Sequence, residues 1–173
     1  MIDNETDVIF REVQRFSLWL RWMITISMVL AIVIDCVALQ KKSSQQAPPD
    51  ILPTILLIAV GILLPIAVSV LFWLLKLETE VRTDGLYIRF FPFHIQYKKF
   101  TAEDLSEYYA RTYRPILEYG GWGIRCGWRG GRAYNVSGNK GVQLVLKNGK
   151  RLLIGSQKAE ELADALGSLT QTG

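Results

Sequence analysis

WMITISMVLAIVIDCVAL (22–39) and ILPTILLIAVGILLPIAVSVLFWLL (51–75) are two apolar runs separated only by the polar stretch 40–50. Coiled as helices they would extend about 27 Å and about 37 Å, against a bilayer hydrocarbon core of about 30 Å. The pair predicts a two-pass transmembrane hairpin over 22–75, preceded by a short segment, 1–21, and followed by one small domain, 76–173. A cleaved signal peptide is the competing reading of the first run. Its end, Asp35-Cys36-Val37-Ala38-Leu39-Gln40, offers neither a small-x-small exit nor a lipoprotein box. Pro53 and Pro65 lie inside the second run, where lipid tolerates proline at the cost of a bend, expected here near Pro65.

Half of the residues are hydrophobic and 21% are charged, a skew that comes from the first 75 positions. The net charge of +4 reports orientation before it reports nucleic acid, since no nucleic-acid-binding motif accompanies it. Arg11, Arg15 and Arg21 precede the first run and Lys76, Arg82 and Arg89 follow the second, against Lys41 and Lys42 between them. Both termini are therefore expected in the cytoplasm, with the protein in the plasma membrane. Trp19, Trp22 and Trp73 fall near the run ends on that same side, where indoles favour the headgroup boundary. In 1–21, Ile9, Val13, Phe16 and Leu20 recur at helical spacing between Arg11, Gln14, Arg15 and Ser17, which reads as an amphipathic lead-in helix, equally as a cytoplasmic extension of the first transmembrane helix, or as an apolar face docked on the domain that follows.

Asp35 is the one formal charge inside either run. An intramembrane carboxylate is a functional candidate because burying it is costly. Its place about 6 Å from the run's end also fits a carboxylate at the outer interface.

Past Lys76 the hydrophobic period changes from helix to strand. Thr79, Val81, Thr83 and Leu86, Ile88, Phe90 flank Asp84-Gly85, a hairpin signal whose register would set Val81 opposite Ile88 and Glu80 opposite Arg89. Val142, Leu144 and Leu146 meet Leu153 across Asn148-Gly149, with Lys147 and Lys150 toward solvent. Residues 95–100, 108–113, 116–119, 123–128 and 132–137 read as shorter strands, and Thr101 with Asp104 as a capped turn. Leu162, Leu166 and Leu169, with Glu160 and Glu161 ahead of them and Ser156 as a cap, predict a closing amphipathic helix over 158–169.

A bent antiparallel sheet of about seven strands with one terminal helix resembles a pleckstrin-homology-like domain of the bacterial type, a β-barrel or sandwich capped by its C-terminal helix. The stretches Tyr119-Gly120-Gly121-Trp122-Gly123-Ile124-Arg125, Ala133-Tyr134-Asn135-Val136-Ser137-Gly138 and Leu153-Ile154-Gly155-Ser156-Gln157, together with Phe10-Arg11-Glu12-Val13-Gln14-Arg15-Phe16, resemble small two-pass prokaryotic membrane proteins of unknown function. The resemblance implies an α+β membrane protein and supplies no catalytic residue, cofactor or ligand.

Between Gly120 and Gly131 the glycines alternate with Trp122, Arg125, Trp128 and Arg129, and Arg132 follows. One reading is an anion-binding or lipid-facing surface of guanidinium groups, indoles and backbone amides. The other is construction, with glycines bending a strand and the tryptophans packing on its backbone. The stretch lacks a Gly-Lys-Ser/Thr ending and is not a phosphate loop. One histidine, His94, and two cysteines, Cys36 and Cys126, exclude a zinc or disulfide framework in the domain, and Cys126 reads as a buried or half-buried strand thiol. No catalytic set, metal site or cofactor is expected. The leading function is a membrane-anchored binding or scaffolding module whose partner is a protein, a second copy of the chain or the anionic bilayer surface. An accessory subunit of a channel or transporter is the alternative.

Overall fold

The computed structural model describes residues 8–43, 51–127 and 131–171. The chain forms two compact units, Phe16–Leu74 and the combination of Met1–Arg15 with Leu75–Gly173. The architecture is α+β.

The first unit is two helices, α1 (Leu18–Ser43) and α2 (Ile51–Leu74). The hydroxyls of Thr25 and Ser27 donate to the carbonyls of Arg21 and Met23, so these polar side chains are satisfied within α1 itself. Within Leu18–Lys41 an 18-residue window reaches a mean hydropathy of 2.3, so this helix is long and apolar enough to cross a membrane, a criterion of length and composition that a signal sequence near an N-terminus also meets. The apolar stretch of α2 among the described residues, Ile58–Leu74, is shorter than a full span. Trp73 donates its indole N–H to Thr25 Oγ1 at 3.1 Å, meets Trp22 edge-on at 5.5 Å, and lies 4.9 Å from the Arg21 guanidinium. This cation and indole cluster ties the start of α1 to the end of α2.

The second unit is built on two sheets. β1 (Val8–Arg15), β2 (Lys76–Arg82), β3 (Gly85–Phe91) and β4 (Lys98–Phe100) pair antiparallel in that order. β5 (Leu105–Thr112), β6 (Gly123–Cys126), β7 (Arg132–Asn135), β8 (Lys140–Leu146) and β9 (Arg151–Gly155) form the other, in the order β5-β8-β9-β7-β6, with β7 and β9 parallel. Among the described residues the strands close no barrel. Leu77, Val81, Leu86, Ile88 and Phe90 of the first sheet are buried, as are Val142, Leu144, Leu152 and Ile154 of the second. The terminal helix α4 (Ala159–Gln171) buries Leu162, Leu166 and Leu169 and packs on β1, β2, β5 and β8, as its leucine spacing predicts.

β1 corrects the lead-in helix expected over 1–21. The apolar residues of Val8–Arg15 satisfy both periods, and the open edge of β2 selects the strand. Phe10 and Gln14 are buried, Arg11 turns outward opposite Glu80, and Arg15 pairs with Lys76. β1 also reaches the second sheet. Gln14 donates to Gly155 O at 2.7 Å, and the Glu12 carboxylate accepts from Ser156 Oγ at 2.6 Å and Gln157 N at 2.9 Å. The β unit therefore does not begin at residue 76. Its first hairpin, β1 to β2, is interrupted by the whole helical unit.

Two turns also differ from expectation. β2 and β3 join through Thr83-Asp84, so Val81 faces Leu86 and Glu78 faces Arg89, two residues from the predicted register. Gly85 belongs to β3 with φ +151°, and a Cβ there would lie 2.7 Å from Phe100 O, so the glycine serves the close approach of β4. The β8–β9 loop is three residues long, closed by Leu146 N to Lys150 O, with Gly149 at φ +77°. This sets Leu153 opposite Gln143, and Leu152 opposite Leu144. Residues 116–119, expected as a strand, belong to a short helix, α3 (Pro115–Tyr119), where Pro115 opens the first turn and Gly120 at φ +71° closes the last.

The outer face of the first sheet carries a network of charges beside the exposed Val13. Glu78 binds Lys76 at 2.6 Å, Arg89, and the Tyr97 hydroxyl at 2.9 Å, while Glu80 binds Arg82 at 2.8 Å and Arg11 at 3.3 Å. Burial pushes the Glu78 carboxyl up, but the hydrogen bonds from Lys76, Arg89 and Tyr97 outweigh it and hold the group below its usual range. Burial and the bond to Glu78 push the Tyr97 hydroxyl up to about 12.

Candidate functional site: a basic groove

The glycine, tryptophan and arginine stretch is distributed by strand geometry rather than gathered. Trp122 is 38% exposed and donates its indole N–H to Gly138 O at 3.1 Å. Gly123 N donates to Asn135 Oδ1 at 2.9 Å, and Asn135 Nδ2 in turn donates to the Tyr113 hydroxyl at 3.0 Å. Arg125 Nε bonds back to Trp122 O at 3.0 Å. In the β6–β7 register Arg125 stands opposite Ala133, and Cys126 opposite Arg132. Successive strand residues project to opposite faces, so Arg125 and Arg132 occupy opposite faces of the sheet. Trp128 and Arg129 lie outside the described residues. The expected five-residue surface is therefore not one patch: Trp122 and Arg125 brace the turn after α3, and Arg132 belongs to a different site.

That site is a groove of about 790 Å³ beside β4, β7 and the β8–β9 turn. Lys98, Arg132, Lys150 and Arg151 line it with Phe100, Cys126, Tyr134, Leu146 and Leu152, and its lining has no acidic side chain among the described residues. Strand alternation explains most of the grouping, because Cys126, Arg132, Tyr134, Leu152 and Lys150 share one face by register, whereas Arg151, next to Leu152, alternates to the other face and lines the groove from the start of β9. Gly131, at φ +93°, lets β7 start close to β9, since a Cβ there would come 2.8 Å from Arg151 O. Lys98 Nζ donates to the Tyr134 hydroxyl at 2.8 Å and sits 5.4 Å from its ring, so the cation is held by the groove wall. His94 packs edge-on to Tyr134 at 5.6 Å. Burial and then the positive charges of Lys98 and Arg132 hold its imidazole below the usual value of 6.5. The cations Lys98 and Arg132 thus add to burial in opposing protonation of His94. An anion held here would meet ammonium and guanidinium donors together with aromatic and aliphatic walls.

Cys126 is exposed on β6 at the groove rather than buried, because β6 is the edge strand of its sheet. Among the described residues no three His, Cys, Asp or Glu side chains converge where a metal could be held. Asp35 is exposed on α1 and lies over Gly61 of α2, where a Cβ would come 3.0 Å from the carboxylate.

Lys98, Lys150 and Arg151 were not legible as site residues. Lys150 reads as a solvated turn lysine, and only the pairing of distant strands brings it beside Lys98 and Arg132. The basic density of Lys147-Asn148-Gly149-Lys150-Arg151 was the available signal.

Residues 1–172 match the model of a family of unknown function, DUF6141. No curated protein and no solved structure matches the chain.

Proposed function

For a chain that belongs to DUF6141, a family of unknown function, function must be argued from the site, and we propose a membrane-anchored recognition module that holds an anionic group in the basic groove. Its anchor is a two-pass hairpin of α1 and α2, with both termini in the cytoplasm. Its β unit follows a pleckstrin-homology-like plan of two sheets and a terminal helix. The observation that carries the reading is the grouping of Lys98, Arg132 and Lys150 in one groove, with Arg151 also in a described lining that has no acid. Phosphate-bearing groups suit it best, because guanidinium forks bind them in a bidentate manner while lysines add point charge. Anchoring favours a ligand at the membrane surface, where tethering raises effective concentration without new contacts.

The test is calorimetric titration of inorganic pyrophosphate into the full chain held in nanodiscs of neutral lipid. Binding should weaken as salt rises. Because charge-assisted hydrogen bonds contribute about 1.5–3 kcal/mol each, Arg132→Gln with Lys150→Gln should lose on the order of 100-fold or more. Undetectable binding at low salt, or equal binding by the double variant, overturns the proposal.

A further inference from the structure

The turn after β3 presents two large apolar side chains to solvent, Phe93 at 61% and Ile95 at 77% exposure. The fold explains the pair only in part: the Phe93 ring leans on Phe90 at 6.2 Å and still exposes most of its surface, and the turn itself is well held. His94 N donates to Phe90 O at 2.8 Å, Arg89 Nη1 reaches Ile95 O at 3.4 Å, and the His94 ring packs on Tyr134. The backbone is fixed in a shape that points hydrophobic groups outward.

The register shows which end of the sheet this is. Arg15, the last residue of β1, pairs with Lys76, the first of β2, and Lys76 pairs with Phe91, the last of β3. Three strands thus end in one row, and the turn bearing Phe93 and Ile95 leaves from that row. The chain runs from the same row into both helices. Arg15 is followed by α1 at Leu18, and Lys76 is preceded by α2 ending at Leu74. An extended chain covers at most about 3.6 Å per residue, so these links span no more than about 11 Å and about 7 Å.

We infer that Phe93 and Ile95 insert into the interfacial layer of the bilayer and fix the pose of the β unit on the membrane. The occupant is lipid. Apolar side chains of interfacial segments settle about 5–10 Å into the headgroup and acyl boundary, within reach of this row. Arg15, exposed at the row itself, matches anionic headgroups. The inference rests on the two-pass anchor proposed above and not on the groove.

The test uses the full chain with Cys36→Ser and Cys126→Ser, carrying one environment-sensitive fluorophore at a time and reconstituted in vesicles of mixed neutral and anionic lipid. Probes at Ile95→Cys and, independently, Phe93→Cys should emit blue-shifted light, be quenched by shallow lipid-borne nitroxides, and resist aqueous iodide several-fold better than a probe at Tyr109→Cys on β5. A probe at Val29→Cys in α1 serves as the anchor control. If Val29→Cys reads as apolar while both turn probes match Tyr109→Cys, the inference is overturned and the anchor stands. If Val29→Cys itself reads as aqueous, the anchor fails and the inference falls with it.

Discussion

Replacing residues 16–75 by Asn-Gly should yield a soluble, cooperatively folded β unit, whereas residues 76–173 alone should not fold. The reason is β1. Arg15 and Lys76 are register partners on antiparallel strands, so a two-residue turn can close the hairpin that the helical unit interrupts. Without β1, β2 loses its partner along Val8–Arg15, Phe10 leaves the core, and Gly155 O, Ser156 and Gln157 lose their contacts to Gln14 and Glu12. Removing a buried Phe side chain costs about 3–5 kcal/mol, and each charge-assisted bond to Glu12 contributes about 1.5–3 kcal/mol. Those losses alone approach the 5–15 kcal/mol, roughly, that holds a domain together. Urea unfolding followed by near-UV circular dichroism should show a cooperative transition for the rejoined unit and none for 76–173. Within the rejoined unit, Phe10→Ala should lower stability by about 3–5 kcal/mol at unchanged slope. Equal urea midpoints for the fragment with and without β1 would refute the reasoning.

Three further outcomes follow from the geometry. Gly85→Ala, at φ +151° with its Cβ 2.7 Å from Phe100 O, should cost about 1–3 kcal/mol in urea unfolding of the same unit. Glu78 has a folded pKa below its usual 4.5, so its contribution to stability is complete above that value and declines as pH falls through the folded pKa; Glu78→Gln should flatten this acid limb and cost about 1–3 kcal/mol at neutral pH. In intact cells and a background lacking the native cysteines, Ser44→Cys should react with an impermeant thiol reagent while Ser168→Cys stays protected, in line with both termini facing the cytoplasm.

What the sequence shows plainly is what depends on local period and turn chemistry. The apolar run of α1, the leucine stripe of α4, the Thr101–Asp104 turn and the existence of both hairpins are all read from spacing alone. The misreadings fall where non-local pairing decides. Val8–Arg15 carries apolar residues that suit a helix face as well as a strand, and its fate is set by Glu80 and Val81, some 70 positions away. The hairpin register slips by two because Gly85 was read as a turn residue, whereas close approach to Phe100 O is what requires a glycine there. Site residues follow the same rule. Arg125 and Arg132 are near in sequence and face apart, while Lys98, Arg132 and Lys150 are distant in sequence and share a groove.

His94 is the sole histidine of the chain and stands beside Lys98, Arg132 and Tyr134, so its imidazole titration, followed by NMR on the full chain in neutral nanodiscs, reads the groove directly. The account predicts a pKa below 6.5 without ligand, and an upward move when pyrophosphate fills the groove and offsets the positive charge that opposes protonation. Arg132→Gln with Lys150→Gln should abolish most of that move. A titration that pyrophosphate leaves in place would contradict the claim that this groove is an anion site.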